Sequence, residues 1–309
     1  MDPKRIVIVF NPVGGSAKSG KVNELKLRLS KFAQVMLLPT TAEPGSATKL
    51  TREALHEFET LSPEELLFIA NGGDGTACQV AEALVSTAYP MAVYPGGTGN
   101  LFARSFNPVP NIDQFVDMIR SGRPQPIDMI RLEYTGLNGK DHNRLSMVGL
   151  GFGNISDAIS DASPKFKRIF GKLVYVVNVT RACLTTNSGR FELITNGKQQ
   201  VTENALAIFV LNVAPPSMAT LSRGCNASDG LLDVAIFSGK NTGHIARTAL
   251  RLASGRPESS PFFSKMRTQA ITIRSSNPIR PNIDGDPSEA TREMRMSVVP
   301  GAVNVVVSY

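Results

Sequence analysis

Up to about Asp128 the chain alternates short apolar runs with longer stretches of helical periodicity, and that alternation admits few folds. The run "RIVIVF" is followed by a helical segment from Lys18 to Lys31, "VMLL" by one from Ser46 to Glu59, "LLFIA" by one from Ala77 to Thr87, and "MAVYP" by one from Asp113 to Arg120. Strands alternating with helices in this way build a parallel sheet wrapped by helices. Ligands of such sheets bind in the crevice at the carboxyl ends of the strands. Glycine-rich segments fall at three of those ends: "NPVGG" after the first run, "NGGDGT" after the third and "PGGTGN" after the fourth.

After "GRPQPID" the texture changes. Strand-like runs dominate: "MIRLEY", "RLSMVGLGF", "RFELIT", "ALAIFVLNV", "LLDVAIF", "QAITIR", "EMRMSVV" and "AVNVVVS". Helical pieces are few, chiefly Lys165 to Leu184 and "TGHIARTALRLAS". The 309 residues suffice for two cores. The expected organisation is an α/β nucleotide-binding domain over residues 1–127 and a β-rich, mostly antiparallel domain over 128–309.

A formal charge of +7 and a pI near 9.4 bias partners toward anions: nucleotide, nucleic acid or an acidic membrane surface. No nucleic-acid motif accompanies the charge, so that partner ranks last. The densest basic cluster interleaves Lys165, Lys167, Arg168 and Lys172 with Phe166, Ile169, Phe170 and Leu173. As a helix it has one apolar face in a basic surround, suited equally to resting on anionic lipid and to covering a core with snorkelling lysines. Cys78, Cys183 and Cys225 show neither metal nor disulfide spacing and read as free thiols of a reducing cytoplasm. No signal peptide or membrane span is expected. His56, His142 and His244 are isolated, which favours surface or packing roles.

The segment from Ile6 to Val22 nearly spells a P-loop, since Gly15, Gly20 and Lys21 fit G-x-x-x-x-G-K. Val22 stands where a P-loop needs the hydroxyl that ligates magnesium, so a phosphate role for this loop must rest on its backbone. In "NGGDGT", Gly72 and Gly73 permit an unusual turn, and Gly75 and Thr76 open a helix whose N–H groups face a phosphate. Asp74 beside that phosphate would repel it unless a cation lies between them or the carboxylate takes a proton from an incoming hydroxyl. The competing reading makes Asp74 a cap of the following helix. In "PGGTGN", Gly96, Gly97 and Gly99 bring backbone close to a ligand, with Thr98 and Asn100 as hydrogen-bond donors.

The ordered segments "NPVGG", "TTAEPGSA", "NGGDGT", "PGGTGN", "ASDGLLDV" and "NIDGD" resemble the signatures of the diacylglycerol kinase catalytic family, which includes sphingosine kinases and soluble bacterial lipid kinases. The likeness runs from Asn11 to Asp286, and "GGDGT" is shared with the NAD kinase and phosphofructokinase folds. The resemblance implies that Asn11, Gly14, Thr41, the segment Gly72 to Thr76, and Thr98 line ATP, and that Asp74 acts with a catalytic Mg2+. It implies a base at Asp286, where the family has Glu, one methylene longer. Leu101 stands where some relatives have Asp, which leaves Asp74 and Asp128 as acidic candidates near the metal. A structural-metal loop would correspond to the carbonyls of Asn226 and Leu231 with the carboxylate of Asp229, against the alternative of a plain Asp-Gly turn.

The expected activity is ATP-dependent phosphorylation of a lipid hydroxyl, of diacylglycerol or a sphingoid base, in a cleft between the domains. Asp157 and Asp161 are candidates for reading a polar head group, with solvated surface as the alternative. The expected setting is cytoplasmic with peripheral membrane contact, and a homodimer is compatible with the sequence. Two other readings are an NAD kinase-like phosphotransferase and a lipid- or nucleotide-binding homologue with impaired catalysis.

Overall fold

A computed structural model of the chain describes residues 3–14, 19–97, 99–106, 111–153, 189–214, 224–239, 251 and 260–307. Thr98, Asp157, Asp161, His244 and the basic segment around Lys165 lie outside the described residues. The chain divides into two compact units, Met1–Met129 with Val299–Tyr309, and Ile130–Val298.

In the first unit β1 (Arg5–Phe10), β2 (Gln34–Pro39), β3 (Leu66–Gly72) and β4 (Pro90–Pro95) run parallel in the order β2-β1-β3-β4. The crossovers carry α1 (Ser19–Leu29), α2 (Ser46–Glu57) and α3 (Asp74–Leu84), followed by α4 (Leu101–Phe106) and α5 (Ile112–Ser121). Val22, Leu25 and Leu29 recur at helical spacing on α1 and are buried, which explains the valine that spoils the P-loop pattern. Ile112, Phe115, Met118 and Ile119 give α5 a similar stripe, and both helices pack on Ile6, Ile8, Leu67 and Ile69 of the sheet. The Asn111 side chain caps α5 by accepting the Gln114 N–H at 2.9 Å. Gly122 ends that helix, since a Cβ there would lie 2.5 Å from the Met118 carbonyl and 2.8 Å from that of Val307.

The second unit is a set of antiparallel ladders. β5 (Arg123–Thr135), which starts in the first unit, pairs with β6 (Asp141–Ser146). β9 (Lys198–Leu211) pairs with β7 (Gly149–Phe152), β8 (Gly189–Thr195) and β10 (Leu232–Ser238). β10 pairs with β11 (Phe263–Thr268), and β8 with β12 (Ala270–Ile279). The two-residue strands β13 (Asn282–Ile283) and β14 (Asp286–Pro287) form a tight hairpin on β7. Phe152, Phe191, Ile208, Val234, Ile273 and Met294 centre the core.

The last strand, β15 (Thr291–Val307), corrects two expectations. The runs "EMRMSVV" and "AVNVVVS" are one element through Pro300 and Gly301, with alternating burial in its first half and near-continuous burial in its last. The first half pairs antiparallel with β12, while Asn304 and Val305 pair in parallel with Pro90 and Met91 of β4. The assignment of 128–309 to one domain therefore fails at its end, because the final residues complete the parallel sheet of the first unit.

Candidate active site

The parallel register brings the expected nucleotide residues to one edge of the sheet. Phe10 is level with Pro39 and Asn71, and Gly72 with Pro95, so the segments that follow these residues emerge together. The Asn11 N–H donates to the Asn71 carbonyl at 3.1 Å, and the Asn11 Oδ1 accepts the Val13 N–H at 3.0 Å, which shapes the first loop. Thr41 is exposed, and its N–H donates to the Ser46 Oγ at 2.9 Å, at the start of α2.

The second and third glycine loops lie backbone against backbone. The Gly96 N–H donates to the Gly72 carbonyl at 2.8 Å. A Cβ on Gly97 would lie 2.5 Å from the Gly73 Cα, and one on Gly96 3.0 Å from the Gly72 Cα. A Cβ on Gly72 would meet the Thr76 Oγ1 at 2.5 Å. These three glycines are thus required by the fold itself. Gly73 is different: its added Cβ meets nothing closer than the Gly97 Cα at 3.6 Å, and its φ of −84° suits any residue. Gly97→Ala is expected to lower stability by about 1–3 kcal/mol through overpacking. Gly73→Ala is expected to leave the urea midpoint near wild type, because the methyl group meets no atom of the chain closer than 3.6 Å.

Gly73 is also the N-cap of α3, and no side chain caps that helix. An uncapped helix start of this length at a strand end is the arrangement that receives a phosphate. Gly73 holds the N-cap position, and Asp74 is the first residue of the helix. Its Oδ2 accepts the Leu101 N–H at 2.9 Å and its Oδ1 accepts the Phe102 N–H at 2.8 Å, so the carboxylate ties the second glycine loop to the start of α4. Two backbone donors from the segment that opens α4 fix its direction. Asn100, expected to donate to the ligand, is engaged within its own loop through one donor and its acceptor: its Oδ1 accepts the Gly97 N–H at 2.8 Å and its Nδ2 donates to the Gly97 carbonyl at 2.7 Å. This reciprocal pair holds Asn100 at a φ of +48°.

Asp128 does not join Asp74. It is 2% exposed, and its Oδ1 accepts the Gly301 N–H at 2.8 Å. Gly301 precedes Asn304, which is level with Pro90, the first residue of β4, so Asp128 sits at the amino end of the sheet. The length of β4, roughly 17–20 Å, lies between it and the glycine loops. A metal shared by Asp74 and Asp128 is excluded by that register.

The loop at Asn226 to Leu231 also departs from expectation. The Asp229 Oδ1 accepts the Leu231 N–H at 3.1 Å, its Oδ2 is taken by the Arg267 guanidinium, and the Asn226 Oδ1 accepts the Ser228 N–H at 3.2 Å. Gly230 has a φ of +70°, completing an Asp-Gly turn. Arg267 and Lys265 also flank the buried Asp233, with Lys265 Nζ 2.6 Å from its Oδ1. Arg267 supplies a cation to the Asp229 carboxylate, which favours the plain Asp-Gly turn over a metal loop. Removing divalent ions with EDTA is therefore expected to leave the thermal midpoint of the nucleotide-free protein unchanged. Arg267→Gln is expected to lower stability by roughly 1–2 kcal/mol.

In the second unit the segment "NIDGD" forms the β13–β14 hairpin, with Ile283 level with Asp286. Asp286 is exposed. Its neighbour Asp284, which the sequence reading passed over, is buried at a φ of +52°. The Asp284 carboxylate accepts the Ser146 hydroxyl at 2.6 Å and the N–H groups of Met147, Val148 and Gly149 at 3.1, 2.9 and 3.0 Å. Burial pushes this carboxyl above the ordinary aspartate range, against the pull of those four donors. Asp284 thereby pins the hairpin that carries Asp286 to the start of β7. The signal available in the sequence was the Gly285 that follows it, at a φ of +97°.

Residues 5–132 match the model of the diacylglycerol kinase catalytic domain, and residues 147–307 match that of the YegS C-terminal NAD kinase beta sandwich-like domain. A Pseudomonas aeruginosa protein named "Probable lipid kinase YegS-like" is 28% identical over 311 residues, 99% of this chain and 95% of that one. The fold is similar to a Bacillus anthracis crystal structure at a TM-score of 0.78, with 19% identity over 100% of this chain and 96% of that one. It is also similar to yeast NADH kinase complexed with NADH, at a TM-score of 0.55 and 11% identity over 100% and 84% of the two chains. No described helix is long and apolar enough to cross a membrane.

Proposed function

The chain belongs to the lipid kinase family defined by a diacylglycerol kinase catalytic domain followed by a YegS-type C-terminal domain, and on that premise we propose that it transfers the γ-phosphate of ATP to a hydroxyl of a lipid, diacylglycerol or a sphingoid base. The observation that carries this reading is the pair of glycine loops interlocked at the carboxyl edge of the parallel sheet, with Gly73 alone open to a ligand at an uncapped helix start.

Phosphoryl transfer asks a protein for positioning and charge neutralisation more than for covalent chemistry. Backbone N–H groups at the start of α3 hold the phosphates, and Asn11 and Thr41 stand beside them. Asp74 fits as the protein ligand of a magnesium ion, since Mg2+ is held by one or two carboxylates together with substrate phosphates. When bound, that ion neutralises charge on the phosphates. Asp286, exposed on its pinned hairpin, takes the proton of the substrate hydroxyl. The basic charge of the chain draws it to anionic lipid surfaces from the cytoplasmic side.

The test is transfer of labelled phosphate from ATP with magnesium to separate mixed micelles of diacylglycerol, sphingosine, ceramide and phosphatidylglycerol, with soluble NAD in parallel. One labelled lipid is expected. Product from NAD alone would overturn the lipid assignment and favour the phosphotransferase reading that the fold also supports.

A further inference from the structure

Strand β3 is apolar from Leu66 to Ala70 and then places Asn71, 1% exposed, in its buried end. The backbone carbonyl of Asn71 is used by Asn11, but its side-chain Oδ1 has no hydrogen-bond partner. A buried acceptor without a donor is unfavourable in the folded chain, and a bound water or ion is one of the partners that completes such an atom.

The surroundings indicate what that is. Three side-chain oxygens face the glycines of the loop after β4. A Cβ at Gly96 would lie 3.1 Å from the Asn71 Oδ1, one at Gly97 3.2 Å from the Asn100 Oδ1, and one at Gly99 3.3 Å from the Asp74 Oδ2. Asn100 spends its oxygen on the Gly97 N–H and Asp74 spends its own on the Leu101 N–H. The Asn71 oxygen still lacks a donor, and it lies beside Gly72 and Gly96 where the uncapped α3 begins. Phosphate oxygens only accept, so they cannot satisfy it. The donor that arrives with nucleotide phosphates is the water on their magnesium, an ion that keeps several of its waters when bound.

We propose that Asn71 contacts the magnesium nucleotide, its Oδ1 accepting an O–H from metal-bound water and so favouring Mg·ATP over metal-free ATP. This rests on the nucleotide edge described under Proposed function and adds to it a residue that reads the metal.

The experiment is calorimetric titration of the full chain with ATP, once with magnesium and once with EDTA, for wild type and Asn71→Leu, alongside the thermal midpoint of each protein without nucleotide. Leucine has similar volume and removes the stranded oxygen, so the nucleotide-free midpoint should stay level or rise. Mg·ATP should bind about 10-fold more weakly to the variant, with metal-free ATP unchanged. Should leucine prevent folding, Asn71→Ala carries the same two titrations with only a cavity added. Equal Mg·ATP affinity in wild type and variant would overturn the proposal. So would a lower nucleotide-free midpoint with unchanged affinity, because a resident water would then be the partner. A wild type that binds ATP in neither condition would overturn the nucleotide edge itself, whereas binding by wild type with no effect at Asn71 rejects this inference alone.

Discussion

Asp74→Asn is expected to lower lipid-dependent ATP turnover by at least about 100-fold and to lower stability by only about 1–2 kcal/mol. The two effects have separate origins. The carboxylate holds the Leu101 and Phe102 N–H groups with one oxygen each, so an amide sets one donor against another and loosens the start of α4. On the proposed reading the loss of negative charge also removes the contact to a phosphate-bound cation, an effect that stability without nucleotide does not sense. Urea midpoints and turnover rates therefore part company. A variant that lost stability but kept turnover would reduce Asp74 to a latch between two loops.

Asp284→Ala is expected to be the most damaging single change to the fold, lowering stability by roughly 3–5 kcal/mol. Truncation strands the Ser146 hydroxyl and three backbone N–H groups in a buried site. Asp284→Asn keeps an oxygen where three of the four donors point, and should lower stability by about 1–3 kcal/mol. The pH dependence has a definite sign. Because burial raises the folded carboxyl above its unfolded value, the native chain binds the proton more tightly than the unfolded chain. Stability contributed by this group accordingly falls as pH rises from the ordinary aspartate range to the folded value, and is flat above it. Denaturation midpoints across that window should slope downward in wild type and lose this component in Asp284→Asn.

The alternating half of the chain was legible because each of its strands is a contiguous apolar run and each main helix carries its own buried stripe. Val22, Leu25 and Leu29 mark α1 without help from the rest of the chain. The loops were legible as loops, but the reason for their glycines was not. Gly72 read as freedom for a turn and Gly96 and Gly97 as room for a ligand, whereas a Cβ at Gly72 would meet Thr76 and one at Gly96 or Gly97 the other loop, a contact that only the pairing of β3 with β4 reveals. Helix α4 escaped notice because six residues hold too little periodicity, and it is held by Asp74 from a distant segment. β11, "FSKMRT", lacked an apolar run of its own and gains its place by pairing with β10.

The misplaced candidates share one cause, long-range register. Asp128 looked available for a metal until the parallel pairing of β15 with β4 set it at the wrong end of the sheet. Asp229 looked like a ligand until β11 brought Arg267 to it. Asp284 drew no reading beside Asp286, and it is the residue that anchors the hairpin. Asn71 was visible as the polar residue after the apolar run "LLFIA", at the head of "NGGDGT", where the glycines and Asp74 drew the reading instead.

If the interlocked glycine loops receive the phosphates of ATP, hydrogen–deuterium exchange of the intact protein with and without Mg·ATP registers it. Slowed exchange is predicted in peptides covering residues 11–14 and 71–77, with no change over 224–232. Saturating nucleotide that leaves residues 71–77 exchanging at the nucleotide-free rate would contradict it.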